Sequence, residues 1–192
     1  ISNTQLPEYH CKTEVEFRMT DTRLGTERLL LREFKFDDVE AFYALGSNPS
    51  AIRYVGNQPF ASREVARQTL ADAPLHDYAT YGYGRLACVL KESGALIGFC
   101  GPKFLPEMQE VDLGYRFLPS FWGRGFATES SRAVIAYARD QLQLKRLVAW
   151  VHPDNVRSVR VLTKLGFAFE RKTAIPSLSY VDFDLYAKRL GS

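Results

Sequence analysis

Two glycines one residue apart stand in the run Trp122-Gly123-Arg124-Gly125-Phe126-Ala127, after a strand-like segment and before a helix-like one. A strand that turns into a helix in this way presents backbone N–H groups at the positive end of the helix dipole, which suits a phosphate or pyrophosphate. Because glycine lacks a Cβ atom, it permits positive φ and lets an anion approach the amides. The turn is therefore a candidate anion site, although the same pattern also forms tight structural turns.

Two common nucleotide motifs do not explain this turn. The Walker phosphate loop requires Gly-Lys-Ser or Gly-Lys-Thr after its spacer, and the chain has neither sequence there. The dinucleotide fingerprint needs a third glycine and a later acidic residue in a βαβ unit that begins the fold, whereas this turn lies about two thirds of the way along the chain. A different anionic ligand is therefore indicated.

Alternating and helical patterns predict the elements that position the turn. In the segment Glu110–Leu118, one face carries apolar side chains and the other carries Glu110, Asp112, Gly114 and Arg116. After the turn, small and apolar residues recur every three or four positions to about Leu142, which predicts a helix. Strands are predicted at 28–34, 85–91, 96–104, 110–118, 146–151, 167–171 and 180–188. Four helices are predicted: one at 37–46, one that starts at 62 and is stopped by Pro74, one from 127 to about 142, and one that starts at 156 and is capped by Gly166.

Length and composition favour one domain over 1–192, and the predicted strands and helices indicate a mixed α/β (α+β) fold. The chain has 192 residues, of which 46% are hydrophobic, and neither internal repeats nor an interdomain linker is visible. The first 20 residues have no strong period and are predicted to form a lead-in segment. A formal charge of +3 is too small to indicate a nucleic-acid binder.

The compartment and the metal content are predicted from what the sequence lacks. No apolar run approaches the roughly 20 residues that span a bilayer, and the N-terminal residues lack the order of a signal peptide. Cys11, Cys88 and Cys100 are an odd number without metal-ligand spacing, and the three histidines show none either. We expect a cytoplasmic protein with reduced cysteines, no metal and no membrane association.

Four blocks in order resemble the GCN5-related N-acetyltransferase (GNAT) superfamily, and the resemblance covers a recognisable core at about 26–190. Thr26–Arg32 is similar to the opening strand of the branch that contains the ribosomal-protein N-terminal (alanine or serine) acetyltransferases, and Leu96–Gly101 is similar to a central strand. Leu113–Glu129 is similar to the family's strand, pyrophosphate loop and helix, and Asn155–Phe167 is similar to the following helix and cap. The resemblance implies a mostly antiparallel, twisted sheet of about six or seven strands, splayed at a cofactor cleft, with helices on both faces.

The resemblance also implies direct transfer of an acetyl group from acetyl-coenzyme A to an amine. The cleft would be a V-shaped gap between the strands 110–118 and 146–151, with the pantetheine arm lying in it. Asn155 would bind a pantetheine amide, and Ser158 the thiolate sulfur. The implied cofactor-binding residues are Phe117, Leu118, Trp122, Gly123, Arg124, Gly125, Phe126, Ala127, Thr128, Asn155 and Ser158.

An acetyl transfer requires an unprotonated amine, so a carboxylate is the expected base, acting directly or through water. Asp112 is the first candidate because it lies on the polar side of the strand beside the cleft, and Glu110 is the second. Two positions depart from the family pattern. Trp122 replaces the Gln or Arg that often begins the loop, and Leu162 stands where many members carry a Tyr that protonates the thiolate.

The acceptor and the assembly state stay open at this stage. A protein N-terminus, possibly ribosomal, or a small-molecule amine would each fit, and the protein would be a monomer or a homodimer. In related enzymes the region of His76, Asp77 and Tyr78 often frames the acceptor site, with aromatic residues such as Phe60, Tyr81 and Tyr83; core packing is the competing explanation for those rings. The alternative function is a non-catalytic acyl-coenzyme-A-binding module.

Overall fold

An eight-stranded sheet organises the part of the chain that the computed structural model describes, residues 22–55, 58–174 and 183–191. The strands follow the spatial order β1-β2-β3-β4-β5-β6-β8-β7, and all neighbours are antiparallel except β5 and β6. Their bounds are β1 Arg23–Gly25, β2 Leu29–Arg32, β3 Leu86–Leu90, β4 Leu96–Leu105, β5 Glu110–Phe117, β6 Arg146–Val151, β7 Ala168–Thr173 and β8 Phe183–Arg189. The predicted fold class is confirmed.

The sheet has one strand more than predicted. Strand β1 pairs with β2 through Leu24 opposite Leu31. Three residues are too few to show an alternating pattern, so no local signal marks β1 in the sequence. The predicted start of the last strand, residues 180–182, lies outside the described residues, as does the lead-in segment.

Helices cover both faces of the sheet, as predicted. On one face, Cys100 of β4 lies 3.5 Å from Ser131, measured between Sγ and Oγ. On the other face, Nζ of Lys103, three positions along the same strand, lies 3.8 Å from a carboxylate oxygen of Asp77. The helices are α1 Val39–Ser47, α2 Pro49–Ile52, α3 Arg63–Leu70, α4 His76–Tyr81, α5 Phe126–Asp140 and α6 Val156–Lys164.

Pro74 does not stop the second predicted helix, so that part of the prediction is wrong. A π-helical turn, Ala71–Leu75, joins α3 to α4, and the N–H of His76 donates to the carbonyl of Ala71 five residues earlier. The wider turn accommodates a residue that has no N–H of its own. The helical segment instead ends at Gly82, whose φ is 75°.

Strands β5 and β6 meet at one point of the sheet. Their register contains a single pair, Asp112 opposite Val148. Within these two fully described strands no further pair joins the stretch towards Phe117 to the stretch towards Val151. The two strands therefore leave a gap between their carboxyl ends, which we call the β5–β6 gap.

Candidate active site

The glycine turn presents a set of backbone amides at the start of α5. Gly123 and Gly125 have φ values of 73° and 85°, and α5 begins directly after them at Phe126. The first backbone bond of the helix is from Glu129 N–H to the Gly125 carbonyl, 3.0 Å long. Among the described residues, none of the six amides from Gly123 to Thr128 donates to a protein atom. Six free donors at the positive end of a 15-residue helix are suited to binding an anion.

Arg28 fixes the turn from a distant part of the chain. Its Nη1 donates to the Arg124 carbonyl at 3.0 Å, its Nε donates to Glu129 at 2.7 Å, and its guanidinium lies 4.2 Å from the Phe126 ring centre. Thr26 Oγ1 also donates to Glu129, at 2.6 Å. Burial opposes ionisation of Glu129, but the hydrogen bonds from Thr26 and Arg28 and the Arg28 charge outweigh it and lower its pKa.

Side chains around the turn add positive charge and restrict two of the predicted contacts. Arg124 stacks on Phe126 at 5.3 Å, and Arg157 stacks on Trp122 at 5.4 Å. The indole N–H of Trp122 donates to the Phe117 carbonyl at 2.7 Å. The Leu118 amide donates to Ile97 at 3.0 Å and its carbonyl accepts from Phe121 at 2.9 Å. At Leu118 a predicted cofactor contact is therefore limited to the second lone pair of the carbonyl. The Phe117 N–H stays available, because Phe117 and Gly98 form a non-hydrogen-bonded pair of β4 and β5.

Tyr115 and Ser158 meet at the β5–β6 gap. The Tyr115 hydroxyl lies 2.8 Å from Ser158 Oγ and donates at 3.3 Å to the Ser158 carbonyl. Burial raises the pKa of Tyr115, so the phenol stays protonated at neutral pH. Asn155 caps α6, because its Oδ1 accepts from the Ser158 amide at 3.2 Å, and its side-chain amide nitrogen carries the remaining donors.

Both predicted bases are held in ion pairs. Asp112 is buried, and one carboxylate oxygen contacts Nη2 of Arg85, with side-chain exposures of 12% and 15%. Arg85 also donates through Nη1 to the Asp112 carbonyl at 3.0 Å. The single N–H at Nε of Arg146 donates a bifurcated hydrogen bond to the two carboxylate oxygens of Glu110, at 3.2 and 3.3 Å. The polar side of β5 is therefore not an open solvated surface.

The family profile described as "Acetyltransferase (GNAT) domain" matches residues 28–168, which contain the turn, β5, β6 and α6. This chain belongs to the GNAT acetyltransferase family. The family predicted from the four blocks is confirmed, and the chain is an enzyme of the acyltransferase class acting on amines.

Relatives and solved structures agree with the GNAT assignment. The chain is 32% identical over 151 residues to the uncharacterized N-acetyltransferase p20 of Bacillus licheniformis, covering 77% of this chain and 83% of that protein. It superposes on an acetyltransferase of Agrobacterium tumefaciens with a TM-score of 0.76 and 26% identity, over 92% and 98% of the two chains. It shares the fold of a spermidine N-acetyltransferase of Vibrio cholerae in complex with CoA and spermine, with a TM-score of 0.70, 18% identity, and 85% and 96% coverage.

The GNAT site contains three groups that the sequence analysis did not assign. Tyr115 belongs to the apolar side of the alternating pattern in 110–118, and no local pattern singles out Arg28 or Arg85. Arg28 and Glu129 are 101 positions apart, and Arg85 and Asp112 are 27 apart. The periodicity of a helix or strand indicates which residues of one element share a face. It therefore cannot predict contacts between residues as far apart in the sequence as these.

Over 22–55, 58–174 and 183–191, no group of three or more His, Cys, Asp and Glu side chains is arranged around a metal position. In the same ranges no helix combines the length and apolarity required to cross a bilayer. Cys88 and Cys100 are buried free thiols, and burial raises the pKa of each.

Proposed function

We propose that this enzyme transfers an acetyl group from acetyl-coenzyme A directly to a primary amine. The supporting observation is the set of six free amides from Gly123 to Thr128 at the start of α5. Three guanidinium groups, those of Arg28, Arg124 and Arg157, lie on the aromatic rings beside these amides. Such a site fits a pyrophosphate, since it supplies both directed donors and positive charge.

The β5–β6 gap accommodates the pantetheine arm in this proposal. The single register pair at Asp112 leaves the following backbone of β5 without a partner on the β6 side, so an extended amide-containing chain fits between them. The side-chain nitrogen of Asn155 and the carbonyls of Phe117 and Leu118 supply hydrogen bonds along the arm. The thioester end then lies near Tyr115 and Ser158, where β5 and α6 come together.

Ser158 protonates the leaving sulfur. The amine lone pair attacks the thioester carbonyl carbon, the C–N bond forms, and the C–S bond breaks. Ser158 Oγ donates its proton to the departing thiolate and regains one, through bound water, from the proton that the amine has released, so that Ser158 and Asp112 both return to their starting states. The neighbouring Tyr115 hydroxyl remains protonated and contacts that oxygen. This pair supplies the role that a Tyr at the position of Leu162 performs in many family members.

Asp112 accepts the proton that the amine loses, through a bound water. Its ion pair with Arg85 occupies one carboxylate oxygen and leaves lone pairs free for such a water. Glu110 is the second candidate base, with both oxygens shared with Arg146. The acceptor is a small-molecule amine or a protein N-terminus, and a homodimer or a monomer carries out the reaction.

Turnover and binding measured separately test the proposal. Purified protein is incubated with acetyl-coenzyme A and a broad panel of amines and N-terminal peptides, and release of free thiol is followed. Calorimetric titrations with acetyl-coenzyme A, ATP and NAD run in parallel. Binding of acetyl-coenzyme A alone together with turnover of an amine supports the proposal. Binding without turnover of any amine favours the non-catalytic acyl-coenzyme-A-binding module, and preference for ATP or NAD contradicts both.

A further inference from the structure

Charged side chains form a row across one face of β4 and β5. Lys103 lies 3.8 Å from Asp77, and its strand partner in the register of β4 and β5 is Asp112. Asp112 pairs with Arg85, whose guanidinium covers Gly114, where any Cβ atom would collide with it. The side chain of Arg116 lies next along β5 on this face. We call these residues the charged row: Asp77, Lys103, Asp112, Arg85 and Arg116.

Four members of the charged row neutralise one another, and the fifth does not have a counter-charge. Asp77 and Lys103 form one pair and Asp112 and Arg85 the other. Arg116 has no carboxylate within salt-bridge distance in the described part of the chain, and its buried Nε has no hydrogen-bond partner there. Its guanidinium carbon lies 5.4 Å from the ring centre of Phe99, which offers π-electron density only.

The electrostatic surroundings of Arg116 are unfavourable for a cation. Burial and then the charge of Arg85 lower the pKa of Arg116 to about 10, and the group stays charged at neutral pH. Arg116 is nevertheless partly exposed, so solvent reaches part of its side chain. A largely buried cation without a counter-charge is costly unless an anion joins it.

Arg116 also lies beside the proposed reaction centre. It directly follows Tyr115, whose hydroxyl contacts Ser158. That contact links β5 to α6 on the side of the strand to which Tyr115 points, whereas Arg116 points to the opposite side. An acceptor that reaches the gap from the side of the charged row therefore approaches along the face of β5 that carries Arg116.

We propose that Arg116 binds an anionic group of the acceptor, so that the substrates are amines carrying a carboxylate or phosphate near the reacting nitrogen. This inference rests on the proposed acetyl transfer and specifies its substrate class. A guanidinium forms paired, charge-assisted hydrogen bonds with either anion. A polyamine instead brings further positive charge to Arg116 and Arg85, which disfavours its binding.

Matched acceptors test the anion requirement in the wild-type enzyme. Each of the common L-amino acids is compared with its carboxamide, and O-phosphoethanolamine is compared with ethanolamine. Spermidine is assayed as a polyamine. All reactions contain acetyl-coenzyme A, and release of free thiol is measured. We expect kcat/KM to be about 10- to 100-fold higher for the anionic member of the best pair, the range of a charge-assisted hydrogen bond. The amino-acid and phosphate arms decide which anion is bound. Equal values within every pair, or preference for spermidine, overturn the inference.

Variants of Arg116 connect any preference to this residue. Arg116→Met keeps an unbranched side chain on Phe99 and removes the charge, whereas Arg116→Lys keeps the charge and loses the planar fork. We expect Arg116→Met to abolish the preference through a higher KM for the anionic acceptor, with kcat/KM for its neutral partner within about 3-fold, and Arg116→Lys to be intermediate. Arg132→Met, an exposed charge on α5, serves as the matched control and should leave the preference unchanged.

The readouts separate failure of this inference from failure of the proposed function. Circular dichroism confirms that each variant is folded, and calorimetry gives its affinity for acetyl-coenzyme A. Turnover without an anion preference, or a preference that survives in Arg116→Met, removes the role of Arg116 and leaves acetyl transfer intact. Binding of acetyl-coenzyme A without turnover of any acceptor removes both.

Discussion

The Tyr115 hydroxyl lies 2.8 Å from Ser158 Oγ and joins β5 to α6 across the β5–β6 gap. The pair connects a strand residue to a helix residue 43 positions later. Because the same phenol also contacts the Ser158 carbonyl, at 3.3 Å, it fixes both the backbone and the side chain of the proposed proton donor.

Removing either hydroxyl should slow the chemical step. We expect Ser158→Ala to lower kcat by about 100-fold, the usual contribution of a positioned acid. Tyr115→Phe should lower kcat about 3- to 10-fold by releasing Ser158. The KM for acetyl-coenzyme A and the unfolding midpoint should change little in Tyr115→Phe. Steady-state kinetics from pH 6 to 9 measure both effects, and an unchanged kcat in both variants contradicts the assigned roles.

A methyl group in the glycine turn should weaken cofactor binding. Gly123 has a φ of 73°, and a Cβ atom added to it would have nothing within 4 Å, so Gly123→Ala strains the backbone without a clash and places a methyl among the amides. The strain should cost about 1 kcal/mol of unfolding free energy, and the Kd for coenzyme A should rise about 10-fold.

Gly94 offers the matched control for that change. It lies in the turn between β3 and β4, has a φ of 71°, and also has nothing within 4 Å of an added Cβ. Gly94→Ala should show the same loss of stability by urea unfolding and an unchanged Kd by calorimetry. Equal effects of the two substitutions on Kd mean that the amides of the turn do not hold the coenzyme.

Loss of the Asp112 carboxylate should affect both stability and turnover. Asp112→Asn leaves Arg85 buried beside a neutral group, so the unfolding free energy should fall by about 3 kcal/mol. A base contributes at least about 100-fold to the rate, so kcat should fall by that factor. Arg85→Met breaks the same ion pair but keeps the carboxylate, so it should lose stability and retain turnover. Unchanged turnover in a folded Asp112→Asn variant excludes Asp112 as the base.

The anchoring of the turn by Glu129 should depend on pH. The pKa of Glu129 is lowered from its ordinary 4.5, so the folded state favours the ionised form. The resulting stabilisation is present above pH 4.5 and is lost as the pH falls through the lower folded-state pKa. Glu129→Gln should therefore reduce the unfolding free energy by about 1 kcal/mol at pH 7 and by much less near pH 3. Urea unfolding at both pH values gives the difference, and a pH-independent loss contradicts this explanation.

The stability of Arg116 variants should change in the opposite direction. Burial lowers the pKa of Arg116 to about 10, which means that the charged form is destabilised in the folded protein below that pH. Arg116→Met should therefore raise the unfolding free energy at pH 7 by about 1 kcal/mol. Thermal and urea unfolding measure it, and a clear loss of stability would show that Arg116 serves the fold itself.

Local patterns in the sequence predicted the scaffold well. The alternation in 110–118 and the glycine turn predicted β5, the loop and the start of α5, and Gly166 ends α6 with a φ of 80°, as expected for a left-handed cap. The family followed from the order of the blocks. These features depend on neighbours along the chain, which a sequence displays directly.

Two features could not be predicted from local patterns: an ion pair between distant residues and a π-helical turn around a proline. The alternation in 110–118 predicts a polar face of β5, but the ion pair of Arg85 with Asp112 makes this part of the face a buried pair of charges. No local period in the sequence indicates that ion pair. A proline such as Pro74 normally ends a helix. Here the π-helical turn Ala71–Leu75 contains it, and α4 follows directly from His76. Both outcomes depend on tertiary packing, which overrides local propensity.

The single register pair at Asp112 and Val148 divides the sheet into two parts, β1 to β5 on one side and β6, β8 and β7 on the other. Main-chain bonds that hold the two parts together are therefore few, and a bound pantetheine arm adds its own to both. A coenzyme in this position would stabilise the contact between the two parts of the sheet in addition to supplying the acetyl group. Amide hydrogen exchange in β6 should slow when coenzyme A binds, more than in the interior of β3, and the two parts should then open as one cooperative unit.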